Sequence, residues 1–258
     1  MIGVRIAIQT KCLGIPLRQA LHTAGRLEAD GVQIDLRQEL PIAELFDTAV
    51  RQLRKMLDDL NLRVGSCTFP TRRGFGDAEE LERRITATCE AMRGASRLGA
   101  RVMLVTLGPC PGPEEKQRST LLESLAMLSA AGNRVGVELA LQSTASPEEL
   151  EGLLQELPEG TLGLDLNPAE VVLKGGSPRS VAERLGSRVA HLFANDAVRG
   201  FGSSSGTEVE LGRGSADFPE LLGILEEHGY RGWATIERHG TRQPEVDVEN
   251  AVRFLRSL

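Results

Sequence analysis

Two carboxylates stand where short apolar runs give out. Asp165 lies in Leu162–Leu166, just before Asn167-Pro168, and Glu237 closes Trp233–Glu237 ahead of Arg238-His239. A carboxylate in such a place needs a cation, a donor network or a substrate. Two hard oxygen donors from nearby strands suit Mn²⁺ or Mg²⁺. Pairing with Arg238, Arg199 or Arg37 is the structural alternative. Other polar groups end further runs: Gln142 before Ser143-Thr144, Asn195-Asp196 after His191-Leu192-Phe193-Ala194, and Arg72-Arg73 after Phe69-Pro70-Thr71. Gln142 brings a neutral amide, which cannot be a general base near pH 7. Asn195 shares the alternation face of Phe193, and His239 shares that of Glu237. His191, one alternation step below Phe193, is expected to be a hydrogen-bonded core histidine. Arg72, Arg73 and Arg199 either orient a phosphate or carboxylate or are solvated loop charges. His22 and His228 fall within or at the end of helical patterns and carry little functional weight.

The elements that must position these groups alternate along the chain. Candidate strands are Val4–Gln9, Val32–Leu36, Leu62–Thr68, Arg101–Leu107, Gly136–Gln142, Leu162–Leu166, Val189–Ala194 and Trp233–Glu237. Between them run helix-spaced apolar stripes such as Leu53, Met56, Leu57 and Leu60, or Phe218, Leu221, Leu222 and Leu225. Gly31, Gly99 and Gly229 follow helical runs, where left-handed caps are expected. Ser146-Pro147 and Ser177-Pro178 read as helix starts. Gly200–Thr207, with Ser203-Ser204-Ser205 inside it, reads as a flexible loop after the seventh strand. Eight strand–helix alternations over about 250 residues are the arithmetic of an α/β protein of the (β/α)8 TIM barrel type. A doubly wound sheet would want a Gly-rich turn after an early strand, and Thr10-Lys11-Cys12-Leu13-Gly14 is not one. In such a barrel the chemistry sits at the C-terminal strand ends, where the polar residues cluster. The main cavity is therefore expected there, lined by Asp165, Glu237 and Gln142, with Phe193 on its wall and Arg72 or Arg199 within reach of an anion.

Composition agrees and excludes. The chain has 258 residues, 41% hydrophobic and 26% charged, which fits a globular protein with a real core. Its net charge of −6 does not favour nucleic acid. No apolar run approaches the roughly 20 residues of a membrane span, and the first residues do not read as a secretory signal. Of its 30 basic residues 26 are Arg, which a GC-rich genome explains. Cys12, Cys67, Cys89 and Cys110 show no metal spacing and read as reduced thiols of a cytoplasmic protein.

The stretch Val209-Glu210-Leu211-Gly212-Arg213-Gly214-Ser215-Ala216-Asp217-Phe218-Pro219, continuing through Gly229-Tyr230-Arg231-Gly232-Trp233 to Ile236-Glu237, resembles the xylose isomerase-like TIM barrel family. Gly31-Val32-Gln33-Ile34-Asp35, the Gly136–Leu141 strand and His191–Asp196 fit in order, so the resemblance spans nearly the whole chain, residues 1–258, as a single domain. It includes sugar phosphate isomerases/epimerases, ketose 3-epimerases and endonuclease IV. The resemblance to the epimerase type implies one divalent metal held by Glu, Asp, His and Glu from strands five to eight, with the two Glu residues moving a proton across an enediolate. On this chain Asp165 and Glu237 match as metal ligands and catalytic residues. Gln142 replaces the first Glu, Phe193 the His, and Pro168 a His that often follows the Asp. A divalent metal, Mn²⁺ or Mg²⁺, is therefore expected to be held weakly or not at all, unless Asn195, Asp196 or His239 compensates. Substrate binding is expected from Gln142, Arg72, Arg199, His239 and Asn195. The function implied is a sugar or sugar phosphate isomerase/epimerase. The alternative is a catalytically inactive sugar-binding or regulatory barrel, which Gln142 and Phe193 favour. Endonuclease IV needs many metal-bound histidines, and this chain has four in all. The expected partner is a small-molecule carbohydrate, with no nucleic acid and no membrane, and with a homodimer left open.

Overall fold

The computed structural model describes residues 4–157, 162–200 and 206–258. Eight parallel strands close a barrel: β1 (Arg5–Gln9), β2 (Gly31–Asp35), β3 (Arg63–Thr68), β4 (Val102–Thr106), β5 (Glu138–Gln142), β6 (Leu162–Leu166), β7 (Val189–Ala194) and β10 (Trp233–Ile236). They follow one another around the ring in chain order, and β10 closes it against β1 through Arg5↔Trp233 to Ile8↔Ile236. Each lies within two residues of its candidate run at either end. Between β7 and β10 stands a hairpin that periodicity did not reveal, β8 (Asp196–Val198) and β9 (Thr207–Val209), paired antiparallel. The loop expected over Gly200–Thr207 lies largely at residues 201–205, outside the described residues; Thr207 itself opens β9.

The helices are α1 (Leu17–Arg26), α2 (Asp47–Asp59), α3 (Leu81–Leu98), α4 (Lys116–Val135), α5 (Pro147–Gln155), α6 (Pro168–Leu173), α7 (Pro178–Leu185), α8 (Phe218–Glu227) and α9 (Pro244–Arg256). Ser146 caps α5 through a reciprocal pair with Glu149, and Ser177 caps α7. Gly99 and Gly229 take the left-handed conformation after α3 and α8. Gly31 does not: Glu28 turns the chain after α1, and Gly31 is the first residue of β2. Its lack of a side chain serves packing, since a Cβ there would lie 2.8 Å from the Trp233 ring. No helix of the described residues is long and apolar enough to cross a membrane.

The main core lies between sheet and helices, where Ile6, Ile8, Ile34, Leu139, Leu192 and Ile236 meet the helical stripes. The barrel interior is different. TIM barrel interiors are dominated by branched apolar residues. Here the apolar part is a small plug of Leu104, Ala140 and Phe193, while Gln9, Gln33, Ser66, His191 and Thr235 are buried polar residues.

Candidate active site

Two irregularities in strand register build the polar interior. Between β6 and β7 the pairing passes from Leu164↔Val189 to Asp165↔His191, skipping Ala190. Between β2 and β3 it passes from Val32↔Val64 to Gln33↔Ser66, skipping Gly65. Each shift re-aims side chains, as bulges do. The first sets Asp165 Oδ1 2.7 Å from His191 Nδ1, and the second sets Gln33 Nε2 2.8 Å from Ser66 Oγ.

From these contacts a directed network follows. With Nδ1–H donating to Asp165, His191 Nε2 has one lone pair, which accepts from the nearer Thr235 hydroxyl at 2.8 Å, and the Gln33 amide nitrogen lies 3.1 Å away. Gln9 Nε2 donates to Gln33 Oε1 at 3.0 Å and to Glu237 Oε1 at 2.7 Å. The donors thus end on two carboxylates. Asp165 is sealed: His191 takes one oxygen, Gln142 Nε2 donates to the other at 3.2 Å, and the side chain is 2% exposed. Burial pushes its carboxyl above the usual range, against the lowering effect of the His191 contact.

Glu237 stands at the mouth and keeps 11% of its side chain exposed. His239 Nε2 lies 3.1 Å from its Oε1, and Asn167 and Asn195 Nδ2 each donate to Oε2 at 3.3 Å. Asn195 is itself braced, donating to Asn167 Oδ1 and accepting from Ala169 N at 3.0 Å. The Glu237 contact raises the pKa of His239 above its ordinary value, against partial burial. A raised histidine pKa adds stability that is complete below about 6.5 and fades as pH rises through the folded value. Wild-type protein should therefore lose its stability advantage over His239→Gln as pH rises above about 6.5 and through the folded value. Because the imidazole is 64% exposed, the advantage is below about 1 kcal/mol. Paired urea titrations and the imidazole proton shifts check this; a pH-independent difference would contradict it.

The remaining residues singled out in the sequence are spread. Phe193 is fully buried, its ring 4.7 Å from His191 in an edge contact, so it plugs the barrel below the mouth. Arg199 donates to the carbonyls of Gly175 and Gly176, away from both carboxylates. Asp196 accepts from the backbone N–H groups of Ala197, Gly214 and Ala216, pinning the Gly212–Ala216 turn. Among the described residues neither Asp165 nor Glu237 pairs with an arginine. Arg238 is held by Glu208 and Asp247 at 2.9 and 3.0 Å, and Arg37 donates to Pro70 O. Cys12, near Glu237, has its thiol pushed up to about 12 by burial, which removes it as a nucleophile.

The cavities also differ from expectation. One of about 510 Å³ opens beside β5 and β6, with Asp165 and Asn167 on its edge. Another of about 790 Å³ lies between the loops after β3 and β4 and includes Arg72. Glu237, Gln142 and Phe193 line neither.

A divalent ion at this position would need several free oxygen or nitrogen ligands. Both Asp165 oxygens and both Glu237 oxygens already accept from side chains of this chain. Gln142 turns its amide nitrogen, not its oxygen, to Asp165, and Phe193 has no lone pair. Among the described residues no group of three or more His, Cys, Asp or Glu is arranged to hold a metal. The donor set does not fit the ion.

The sequence profile of the family described as "Xylose isomerase-like TIM barrel" matches residues 20–258. The chain belongs to that family. It is 22% identical over 229 residues to an inosose dehydratase of Clostridium beijerinckii, covering 76% of each chain. Among solved structures, a xylose isomerase domain protein of Planctomyces limnophilus matches at 22% identity and TM-score 0.86, over 98% of this chain and 96% of that one. A xylose isomerase-like TIM barrel protein of Mycobacterium smegmatis, in complex with magnesium, matches at 17% identity and TM-score 0.80, over 98% and 95%. A D-allulose 3-epimerase of Methylomonas sp. matches at 17% identity and TM-score 0.78, over 98% and 97%. At these identities the structural likeness establishes the fold.

Proposed function

We propose that this member of the xylose isomerase-like TIM barrel family is a sugar-modifying enzyme that moves a proton beside a sugar carbonyl, with Glu237 as the base. The observation that carries this reading is the contrast between the two carboxylates: Asp165 is sealed by His191 and Gln142, while Glu237 reaches the mouth beside the exposed His239. Glu237 takes the proton from the carbon next to the carbonyl and leaves an enediolate. His239 Nε2–H is the nearest donor able to turn from Glu237 to the developing oxyanion. No step runs through a metal, because the donor set does not fit one.

One base sets the reaction class. A second carboxylate on the opposite face would allow the proton to be taken from one side and returned on the other, inverting a carbon. Gln142, which the family resemblance aligns with that carboxylate, is a neutral amide and cannot do so. A single carboxylate takes and returns the proton on one face, which is aldose–ketose isomerisation. The same abstraction also begins loss of a β-hydroxyl as water, which accords with the name of the inosose dehydratase relative. A second reading, a sugar-binding barrel without turnover, is favoured by Gln142, by Phe193 and by the four donors that already occupy Glu237.

The test incubates the protein with aldoses, ketoses and inososes in deuterated buffer containing EDTA, following carbon-bound deuterium by NMR. Incorporation beside the carbonyl of one substrate class is expected. Saturable sugar binding with no incorporation in any of them would replace this reading with the second. Metal titration gives a separate expectation. Wild-type protein should carry no stoichiometric Mn²⁺, and Gln142→Glu with Phe193→His should raise Mn²⁺ affinity together by more than the sum of the single changes. Tight Mn²⁺ binding by the wild type would contradict the hydrogen-bonded picture of both carboxylates.

A further inference from the structure

The larger cavity, between the loops after β3 and β4, is a built concavity outside the Glu237 network. Its floor is a backbone-to-backbone contact: Gly74 and Gly108 approach so closely that a Cβ on Gly74 would lie 2.7 Å from Gly108 Cα. Phe75 N donates to Leu107 O beside that contact, and the Phe75 ring is fully buried. One wall is braced from behind by Arg118, 6% exposed, which donates to Pro111 O at 3.0 Å and pairs with Glu156.

The charges around it are uneven. Arg73 is spent on Asp77 and Glu79, both at 2.8 Å. Glu115 turns its Oε1 back onto Gly112 N at 2.7 Å. Arg72 and Lys116 line the cavity and have no side-chain partner among the described residues. The Thr106 and Thr120 hydroxyls add donors. Lys116 begins α4, whose N-cap is Glu115, so that carboxylate and the one on Asp77 share the rim with the two cations.

Two free cations beside hydroxyl donors over a glycine floor are the chemistry of an anion site. We propose that this cavity binds the anionic group, phosphate or carboxylate, of an acidic sugar. The inference rests on the sugar-acting reading above and names its substrate class. Thr106 ties the cavity to the mouth, since it ends β4 in register with Gln142. β4 and β10 lie four places apart around the eight-stranded ring. A ligand with its anionic end here would have to extend across the mouth to reach Glu237.

Calorimetry with inorganic phosphate and with acetate tests it on the full chain. At least one anion should bind wild-type protein with a stoichiometry of one, and Arg72→Ala and Lys116→Ala should each weaken it at least about tenfold. Preference for phosphate assigns a phosphorylated substrate, and preference for acetate a carboxylated one. Arg83→Ala, on a neighbouring surface helix, should leave the affinity unchanged. Arg72 has no side-chain partner among the described residues, so its removal should not move the melting temperature. If neither anion saturates, or if the variants bind like wild type, the proposal is overturned. Glu237→Gln should bind the anion normally. Absence of exchange in the wild-type protein with intact anion binding therefore counts against the proton-transfer reading alone, and exchange on neutral sugars with no anion binding counts against this one alone.

Discussion

Replacing Glu237 by glutamine should slow deuterium exchange into a turned-over sugar by about 10²–10⁴-fold, the usual worth of a positioned general base. The loss should be large because the Gln142, Asp165 and Cys12 positions cannot take over. Gln142 stands where a second carboxylate would be, Asp165 is closed to the mouth by His191 and Gln142, and the Cys12 thiol is held protonated. Glutamine keeps the shape but sets its own NH₂ against groups that all donate: Gln9, His239, Asn167 and Asn195. Some loss of stability is therefore expected alongside the loss of rate. Glu237→Asp separates the two effects. It preserves the anion that these donors need but withdraws the carboxylate by one methylene, so the melting temperature should recover while the rate stays low. Exchange in both variants within about tenfold of wild type would place the base elsewhere.

The eight strands were legible because each is a short run of apolar residues bounded by turn signals, and a parallel sheet covered by helices demands such runs. The C-terminal rim was legible for the same reason: polarity begins where each run stops. What period-two alternation could not supply was register. Counting from Val189, uninterrupted pairing would set Asp165 opposite Ala190; the shift brings His191 there instead, and the buried pair with it. The same holds for Gln33 and Ser66. A faint signal did exist in the first strand, where Arg5, Ala7 and Gln9 share one face and that face is not apolar. The β8–β9 hairpin escaped because three-residue strands show no period, and its partners are separated by the loop between them. Arg199, one of two arginines expected within reach of an anion, follows β8 and donates to the Gly175 and Gly176 carbonyls instead.

Asp165→Ala should lower the unfolding free energy by about 3–5 kcal/mol, the cost of breaking a buried pair from one side. Among the described residues the carboxylate is the sole acceptor for His191 Nδ1–H and for the Gln142 amide nitrogen, and both would be stranded in a barrel that admits little water. Asp165→Asn should cost less. Its Oδ1 still accepts from His191, but its NH₂ opposes that of Gln142. Removing His191 as well should cost less than the sum of the two single changes, since each then leaves no unpaired partner behind. Acid resolves the burial effect. Burial raises the folded-state pKa of Asp165, so its contribution is complete below the ordinary carboxylate value of 3.8 and declines as pH rises through the folded value. The gap between wild type and Asp165→Asn, read from urea denaturation, should therefore widen in favour of wild type as pH falls through that window. A constant gap would mean that Asp165 is not the group titrating. A change below about 1 kcal/mol for Asp165→Ala would mean that the contact with His191 does not hold the barrel interior together.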